Sequence, residues 1–269
     1  MYNTRMPETI TSHANPLVKQ IRALRQPRQR RESGLFLVEG IHHVGEAVEA
    51  GWELELVAYA PDLLTSEYAR TLTATLEERG VRLAAVAGSL FPELTDKENP
   101  QGVLALVRQR HLRLDELDPA RDRYCVACVS PQDPGNVGAI LRSMDAAGAQ
   151  ALFLLEGGTD PYHPTCVRAS MGTLFWKPVV QCSFEAFLGW AKAGGQTLIG
   201  SSAHASLDYR QAAAFPQPFV LLLGSEQKGL QPEHLAACDR VVSLPMRGRA
   251  SSLNLAVAAG ILLYALMER

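Results

Sequence analysis

The second half of the chain alternates short apolar runs with segments of helical spacing. The apolar runs predict strands at YCVACVS (124–130), ALFLLE (151–156), PVVQ (178–181), TLIGSS (197–202), FVLLLG (219–224) and VVSLP (241–245). The spacing between them predicts helices near 137–147, 164–171, 184–193, 232–237 and 252–268. Because most of these strands are apolar at nearly every position, we expect a mainly parallel sheet covered by helices on both faces.

The first half shows the same alternation with shorter elements. Its predicted strands are GLFLVEG (34–40), LELVAYA (54–60), VRLAAVA (81–87) and GVLALV (102–107). Helices are predicted at 42–51, closed by Gly51 in the C′ position, and at 66–80. The polar stretch RQRHLRLDELDPARDR (108–123) then interrupts the alternation. We therefore predict an α/β protein with a domain at 1–108, a linker at 109–123 and a second domain at 124–269.

Composition adds the expectation of a soluble, cytoplasmic protein. The chain has 269 residues, of which 47% are hydrophobic and 20% charged, as is usual for globular proteins with a sizeable core. The N-terminus lacks the apolar region of a signal peptide. The apolar segment LNLAVAAGILLYALM (253–267) is shorter than the roughly 20 residues of a membrane span. It therefore predicts a buried helix.

The five cysteines give no disulfide framework and no zinc spacing. Cys125 and Cys128 form a C-x-x-C inside a predicted strand, and no second pair stands at a suitable distance. We expect buried thiols in a reducing compartment and no metal.

The charge of the chain is unevenly distributed. The formal net charge is only −2, yet residues 1–31 contain seven basic side chains and one acidic side chain. This asymmetry is typical of a basic arm that binds a polyanion, and equally of a solvated basic helix.

In parallel α/β sheets, ligands bind beyond the carboxyl ends of the strands. The loop PQDPGNVG (131–138) follows the first strand of the second half, with Asn136 placed as a helix N-cap. Its glycine spacing is neither that of a dinucleotide fingerprint nor that of a phosphate loop. Arg142 follows six residues after Asn136, either as a surface arginine or as a functional group aimed at the loop.

Two later loops carry further polar candidates. In FVLLLGSEQKGL (219–230), Glu226 follows a buried strand and lies between Gly224 and Gly229. It is either a solvated acid in an ordinary turn or a partner for a ligand or for Arg142.

The loop VVSLPMRGRASSLNLAV (241–257) precedes the long apolar helix, and Ser251 is its predicted N-cap. Asn254 interrupts the apolar pattern, where a buried amide needs partners. Ser252 and Asn254 therefore either converge on a functional site or serve the structure alone.

In this order and spacing, these segments resemble the SpoU (TrmH-like) RNA ribose methyltransferases of the SPOUT superfamily. The three matching motifs are NVGAILRSMDAAGA, LLLGSEQKGL and LPMRGRASSLNLAVAAGILLY. The segment SHANPLVKQIRAL, with GLFLVEGIHHVGEAV after it, resembles the L30e-like substrate-binding domain attached to many such enzymes. The resemblance thus spans nearly the whole chain.

The resemblance implies a fold, a cofactor and an assembly. The fold is a mainly parallel sheet with a C-terminal deep trefoil knot, next to a smaller L30e-like α/β domain. The knot binds S-adenosyl-L-methionine, and family members are homodimers that act on RNA. The implied catalytic residues are Asn136, Arg142, Glu226, Ser252 and Asn254. The implied cofactor-binding residues are Gly224, Leu244 and Leu253, with Ser201 and Ser202 added by their position at a strand end.

The implied reaction is methyl transfer to a ribose 2′-hydroxyl, a weak nucleophile that loses its proton as it attacks. The resemblance makes Arg142 the base. A charged Arg142 that grips the phosphate beside the ribose and stabilises a developing alkoxide fits the sequence equally well.

The expected substrate is 23S-type ribosomal RNA, because L30e-like domains accompany many enzymes that act on ribosomal RNA. Three alternatives remain: a transfer RNA 2′-O-methyltransferase, a non-catalytic RNA-binding protein of the same fold, and a Rossmann-type dehydrogenase. The missing glycine fingerprint disfavours the dehydrogenase.

Overall fold

The structure is a computed structural model that describes residues 9–95, 100–214 and 217–267. It divides into two compact units. One comprises residues up to Gln109 together with Tyr162–Arg168, and the other comprises Arg110–Pro161 and Ala169–Arg269. No helix in the described ranges is long and apolar enough to cross a membrane.

The first unit contains a mixed sheet of four strands. Its strands are β1 (Leu35–Glu39), β2 (Leu54–Tyr59), β3 (Leu83–Ala85) and β4 (Val103–Arg108), in the order β1-β4-β2-β3. Its helices are α1 (Pro16–Ala23), α2 (Pro27–Ser33), α3 (Ile41–Glu49), α4 (Glu67–Glu78) and α5 (Phe91–Leu94). Strand β4 pairs antiparallel with β1 and β2, whereas β2 and β3 run parallel. Helix α3 ends as predicted, with Gly51 at a φ of +66° beyond the last turn.

The basic N-terminal segment is largely folded rather than extended. Residues 16–33 form α1 and α2, and Val18 and Ile21 of α1 are fully buried in the core. Arg30 is also fully buried, and its Nη1 donates to the carbonyls of Leu24 and Arg25. The predicted basic arm is thus helical over much of this range, and the apolar residues of α1 pack inward. Residues 1–8 lie outside the described residues.

The second unit contains a seven-stranded sheet in which every pairing is parallel. Its strands are β5 (Tyr124–Val129), β6 (Ala151–Leu155), β7 (Val179–Cys182), β8 (Thr197–Ser201), β9 (Leu207–Asp208), β10 (Phe219–Leu223) and β11 (Arg240–Ser243). Its helices are α6 (Pro134–Ala146), α8 (Phe184–Ala193), α9 (Pro232–Ala237) and α10 (Leu255–Met267), and α7 (Pro164–Ala169) is divided between the two units. This confirms the predicted α/β class and the mainly parallel sheet.

The strand order of this sheet is β7-β6-β5-β10-β8-β11-β9. Strands β5, β6 and β10 are buried at every residue, which explains their continuous apolar runs. The short edge strand β9 was not predicted, because its two residues are only half buried. Burial raises the pKa of the Cys128 thiol in β5 to about 12, and none of the five cysteines forms a disulfide.

Helix α10 is apolar around its whole circumference and packs on α6. The Tyr124 hydroxyl at the start of β5 donates to the Leu263 carbonyl at 2.6 Å and so attaches α10 to the sheet. Three side chains nevertheless point away from this packing: Val257, Ile261 and Tyr264 are 51%, 38% and 43% exposed. They follow helical spacing and form one exposed apolar stripe.

Candidate active site

Three adjacent strands bring four of the five predicted cofactor-binding residues to one edge of the sheet. Strand β8 lies between β10 and β11, and all three run parallel. Their carboxyl ends therefore meet. Ser201 and Ser202 come at the end of β8, Gly224 directly after β10 and Leu244 directly after β11. Residues far apart in sequence thus share this edge of the sheet.

Gly224 is required by a close backbone approach. A Cβ at this position would lie 2.0 Å from the carbonyl carbon of Gly229 and 2.2 Å from the nitrogen of Leu230. The loop folds back on itself here, and the Gly229 N–H donates to the Ser225 carbonyl at 2.9 Å. The loop that carries Glu226 is therefore a tight, self-bonded turn.

Gly224→Ala is expected to lower the stability of the second unit by about 1–3 kcal/mol or more, because the loop backbone must move to admit the methyl group. Thermal unfolding of the purified variant measures the change. Gly189→Ala is the control: its Cβ would meet nothing within 4 Å, and alanine is the better residue within α8. Equal melting temperatures for Gly224→Ala and the native protein would contradict the requirement for glycine.

A chain of side-chain hydrogen bonds joins the three loops. The Asn136 amide Nδ2 donates to Glu226 Oε1 at 2.9 Å, and the Asn254 amide Nδ2 donates to Asn136 Oδ1, also at 2.9 Å. Asn136 is buried, with 7% of its surface exposed. One predicted residue from each motif therefore meets in a single contiguous network, with Asn136 at its centre.

The structure corrects both predicted helix caps. Helix α6 begins at Pro134, and the Asp133 carboxylate caps it by accepting from the Gly135 N–H at 2.7 Å. Asn136 therefore lies inside the first turn, where its amide is free to bridge other side chains. Helix α10 begins at Leu255, and Asn254 Oδ1 accepts from the Ala256 N–H at 2.9 Å, so Asn254 rather than Ser251 occupies the cap position.

Glu226 is held as a charged acceptor. Its carboxylate accepts the Asn136 amide and the backbone N–H groups of Gln132 at 2.9 Å and Asp133 at 3.1 Å. Burial raises the pKa of Glu226, but these hydrogen bonds outweigh it and hold the pKa below its ordinary value. The resulting stabilisation is present above the ordinary glutamate pKa and is lost as the pH falls through the lowered pKa.

Arg142 is not part of this network. Its side chain is exposed on α6, and within the described residues it has no hydrogen bond or ion pair. It lies six residues after Asn136, which is about 9 Å along the helix and roughly 120° around it. The predicted pairing of Glu226 with Arg142 is therefore replaced by the pairing of Glu226 with Asn136. The guanidinium is left accessible to a ligand.

The remaining predicted residues do not join the network. Ser252 and Leu253 are exposed in the segment that leads into α10. Ser201 and Ser202 are half buried, and Ser202 Oγ accepts from the His204 N–H at 3.3 Å. Leu244 is half buried after β11.

The backbone donors of Gln132 and Asp133 were not predicted. The Asp-Pro pair at 133–134 is a sequence signal for a helix start with a capping carboxylate, and it could have placed the cap correctly. No local pattern shows that the preceding N–H groups are directed at Glu226, because that contact spans more than ninety residues of chain.

Comparisons with known proteins identify a family for each of the two units. The SpoU rRNA Methylase family matches residues 123–264, and the MRM3-like substrate binding domain matches residues 15–105. Each unit is thus matched by a known family: the first unit by the substrate-binding domain and the second unit, which carries the site, by the methylase family.

Individual relatives match the chain over nearly its whole length. The chain is 37% identical over 263 residues to a 23S rRNA (uridine(2479)-2′-O)-methyltransferase of Streptomyces viridochromogenes, covering 95% of this chain and 90% of the relative. It is 30% identical over 256 residues to the Bacillus subtilis 23S rRNA (guanosine(2553)-2′-O)-methyltransferase RlmP, covering 95% and 97%. A crystal structure of an AdoMet-bound rRNA methyltransferase from Sinorhizobium meliloti superposes with a TM-score of 0.87 at 36% identity, covering 96% and 97%. The chain therefore belongs to the SpoU rRNA methylase family, with an MRM3-like substrate-binding domain at its N-terminal end.

Proposed function

We propose that this protein transfers a methyl group from S-adenosyl-L-methionine to a ribose 2′-hydroxyl of 23S-type ribosomal RNA. The observation that carries the proposal is the hydrogen-bonded network of Glu226, Asn136 and Asn254, which unites the three family motifs. The named relatives that span the chain act on 23S rRNA, which supports ribosomal over transfer RNA.

The edge formed by β8, β10 and β11 fits the cofactor. Gly224 lets the loop after β10 fold tightly on itself at this edge, and Leu244 adds backbone and apolar groups directly after β11. Leu253 lies in the segment that leads into α10. We propose that these three residues, with Ser201 and Ser202, hold S-adenosyl-L-methionine. The cofactor supplies the electrophilic methyl group, so the protein has to supply orientation and proton handling.

The chain's own residues then supply the orientation of the ribose and the handling of its proton. The charged Glu226 orients the Asn136 amide, and Asn136 in turn accepts a hydrogen bond from Asn254. These bonds hold the three polar side chains in fixed positions beside the proposed ribose site. The accessible Arg142 contacts the RNA. As the ribose oxygen forms its bond to the methyl carbon, the bond between that carbon and the cofactor's sulfur would break and the hydroxyl would release its proton. A neutral Arg142 would take this proton. A charged Arg142 would instead hold the adjacent phosphate and stabilise the oxygen's developing negative charge, and the proton would pass to water.

The function is tested with purified protein, tritiated S-adenosyl-L-methionine and unmodified 23S rRNA, followed by mapping of 2′-O-methyl positions. We expect one stoichiometric ribose methylation in 23S rRNA and none in a transfer RNA pool. Labelling of transfer RNA alone would replace the proposal with its transfer RNA alternative. Cofactor binding without transfer to either RNA would favour a non-catalytic RNA-binding protein.

We further propose that the first unit, with its N-terminal segment, binds the RNA. Several basic side chains of this segment are already paired within the protein, as with Arg28 and Glu32 at 2.7 Å. Lys19 and Arg31 are exposed and suited to phosphate contacts.

Lys19→Ala combined with Arg31→Ala is expected to weaken binding to 23S rRNA fragments and to flatten its salt dependence. Each lost phosphate contact lowers the log–log slope by about 0.7–0.9. Filter binding at several salt concentrations measures the slope. Arg79→Ala with Arg82→Ala, also exposed in the first unit, is the matched control. An unchanged slope in the Lys19 and Arg31 variant would remove this surface from the RNA interface.

A homodimer belongs to the same proposal. The exposed stripe of Val257, Ile261 and Tyr264 lies on a helix that is apolar on every side, and such helices are ordinarily covered all round. A second copy of the chain, placing the same stripe against this one, would cover it symmetrically.

Ile261→Glu is expected to convert the protein from dimer to monomer, because it places a charge in the centre of the stripe. Light scattering coupled to size exclusion measures the mass. Lys192→Glu changes the charge elsewhere on the unit's surface and is expected to leave the dimer intact. A variant at Ile261 that stays dimeric would place the interface elsewhere.

The C-terminal trefoil knot and a cytoplasmic location complete the proposal. The first follows from the family resemblance of residues 124–269. The second is supported by the five free cysteines and by a substrate that belongs to the ribosome.

A further inference from the structure

A cavity of about 390 Å³ lies against the loop that carries Glu226. Its wall is formed where β5, β6 and β10 end, and it includes Ser130, Gln132, Glu156, Gln227, Lys228 and His234. The volume falls within the range of about 300–1,000 Å³ that is usual for small-ligand sites. Gln132 links the cavity to the hydrogen-bonded network. The residue lines the cavity, and its backbone N–H donates to the Glu226 carboxylate.

His234 lines this wall, but its Nε2 atom is shielded from solvent. The residue is only 2% exposed, and its ring stands edge-on to Phe184 at a centroid distance of 4.7 Å. Its Nδ1 accepts from the Gln231 N–H at 3.1 Å, so a neutral ring carries its hydrogen on Nε2. Among the described residues this Nε2 has no hydrogen-bond partner. A buried donor without a partner is costly unless a ligand satisfies it.

Glu156 places acceptors next to this donor. Its Oε2 lies 3.4 Å from His234 Nε2, but the pair does not have hydrogen-bond geometry. The Glu156 side chain is 44% exposed, so it can turn away from His234. With Glu156 turned, the wall would offer one donor, Nε2–H, beside the two acceptors of the carboxylate.

The backbone holds these groups in place at a conformational cost. Ser130 and Glu156 have φ values of 44° and 57°, and they are two of the three non-glycine residues with positive φ in the described part of the chain. Ser130 Oγ donates to the Glu156 carbonyl at 3.0 Å and links the two strand ends. Non-glycine residues with positive φ are uncommon and cluster at ligand sites.

Guanine complements this pattern. Its Watson–Crick edge presents one acceptor, O6, followed by two donors, N1–H and N2–H₂, whereas uracil offers a single donor between two acceptors. RNA-binding proteins commonly read unstacked bases along this edge. The Lys228 ammonium at the same wall suits the phosphate attached to such a base.

We propose that this cavity binds a guanine base of the RNA strand that carries the target ribose, with His234 Nε2–H on O6 and the Glu156 carboxylate on N1–H and N2–H₂. The proposal rests on the proposed RNA 2′-O-methyltransferase function. It assigns Glu156 and His234 to base selection and leaves methyl transfer to the residues of the network.

The test measures binding of guanosine 5′-monophosphate and adenosine 5′-monophosphate to the full-length protein by calorimetry or ligand-observed NMR. Saturating S-adenosylhomocysteine keeps the cofactor site filled. We expect the guanosine nucleotide to bind roughly tenfold more tightly than the adenosine nucleotide. Glu156→Gln should abolish this preference, because its NH₂ group faces the donors of guanine. Glu185→Gln, an exposed residue of α8 outside the cavity wall, should retain the preference.

Equal binding of the two nucleotides, or a preference that survives Glu156→Gln, would overturn the proposal. Unlabelled 23S rRNA should displace the guanosine nucleotide. Its failure to do so would assign the cavity to a free nucleotide instead of RNA, and so also contradict the proposal.

Methyl transfer is followed separately, so the two hypotheses fail separately. A guanine preference without methylation would contradict the proposed function but not the binding of guanine in the cavity. Methylation without a guanine preference would contradict only the guanine site. In the methylation assay, Glu156→Gln should raise KM for 23S rRNA more than it lowers kcat.

Discussion

Arg142→Ala is expected to lower kcat for methylation of 23S rRNA by about 10²- to 10⁴-fold, whether the residue acts as base or as charge anchor. Arg142 is exposed and has no partner among the described residues, so its removal should leave the melting temperature nearly unchanged. Binding of S-adenosyl-L-methionine should also persist, because the proposed cofactor residues follow other strands. Single-turnover kinetics and cofactor titration measure the two effects.

Two further variants sharpen this test. Arg121→Ala, also exposed in the second unit, is the matched control and should retain full turnover. Arg142→Lys keeps the charge but loses the planar fork, so substantial residual activity would favour an electrostatic role. Near-native turnover of Arg142→Ala would remove Arg142 from the active site altogether.

Asn136→Asp is expected to reduce methylation by at least about a hundredfold and stability by about 1–3 kcal/mol. The change keeps the shape of the side chain but replaces the amide donor, 2.9 Å from Glu226 Oε1, with a second carboxylate. Two adjacent carboxylates repel each other when both are charged. Because Asn136 is buried, solvent screens this repulsion poorly.

The destabilisation should depend on pH. At pH 7.5 we expect the melting temperature to fall by roughly 2–10 °C. Lowering the pH to 5 should recover part of this loss, because one of the two carboxyl groups then takes up a proton. Asn15→Asp is the control, since Asn15 caps α1 and aspartate caps helices equally well. An Asn136→Asp protein with native stability at both pH values would show that the network does not hold the site together.

The pattern of apolar residues was sufficient to predict six of the seven strands of the parallel sheet. Strands β5, β6 and β10 are buried on both faces, and this burial leaves a continuous apolar run that needs no knowledge of the neighbouring strand. The pattern failed at β9, whose two residues are only half buried. The predicted start of α6 is also three residues too late. Asn136 is a suitable cap residue, but the residue that caps the helix is Asp133.

The sequence by itself determined the fold class, the polar residues that follow the strands and, through its motifs, the family. Only the tertiary structure decided which polar groups meet. Glu226 bonds to Asn136 across 90 residues and Asn136 to Asn254 across 118. The first contact depends on the strand order that places β10 beside β5, and the second on the packing of α10 against α6. The cavity beside His234 has the same origin. A strand that is buried on both faces shows this burial in its own apolar residues. Its position in the sheet depends on the packing of the whole unit, so no local pattern reveals it.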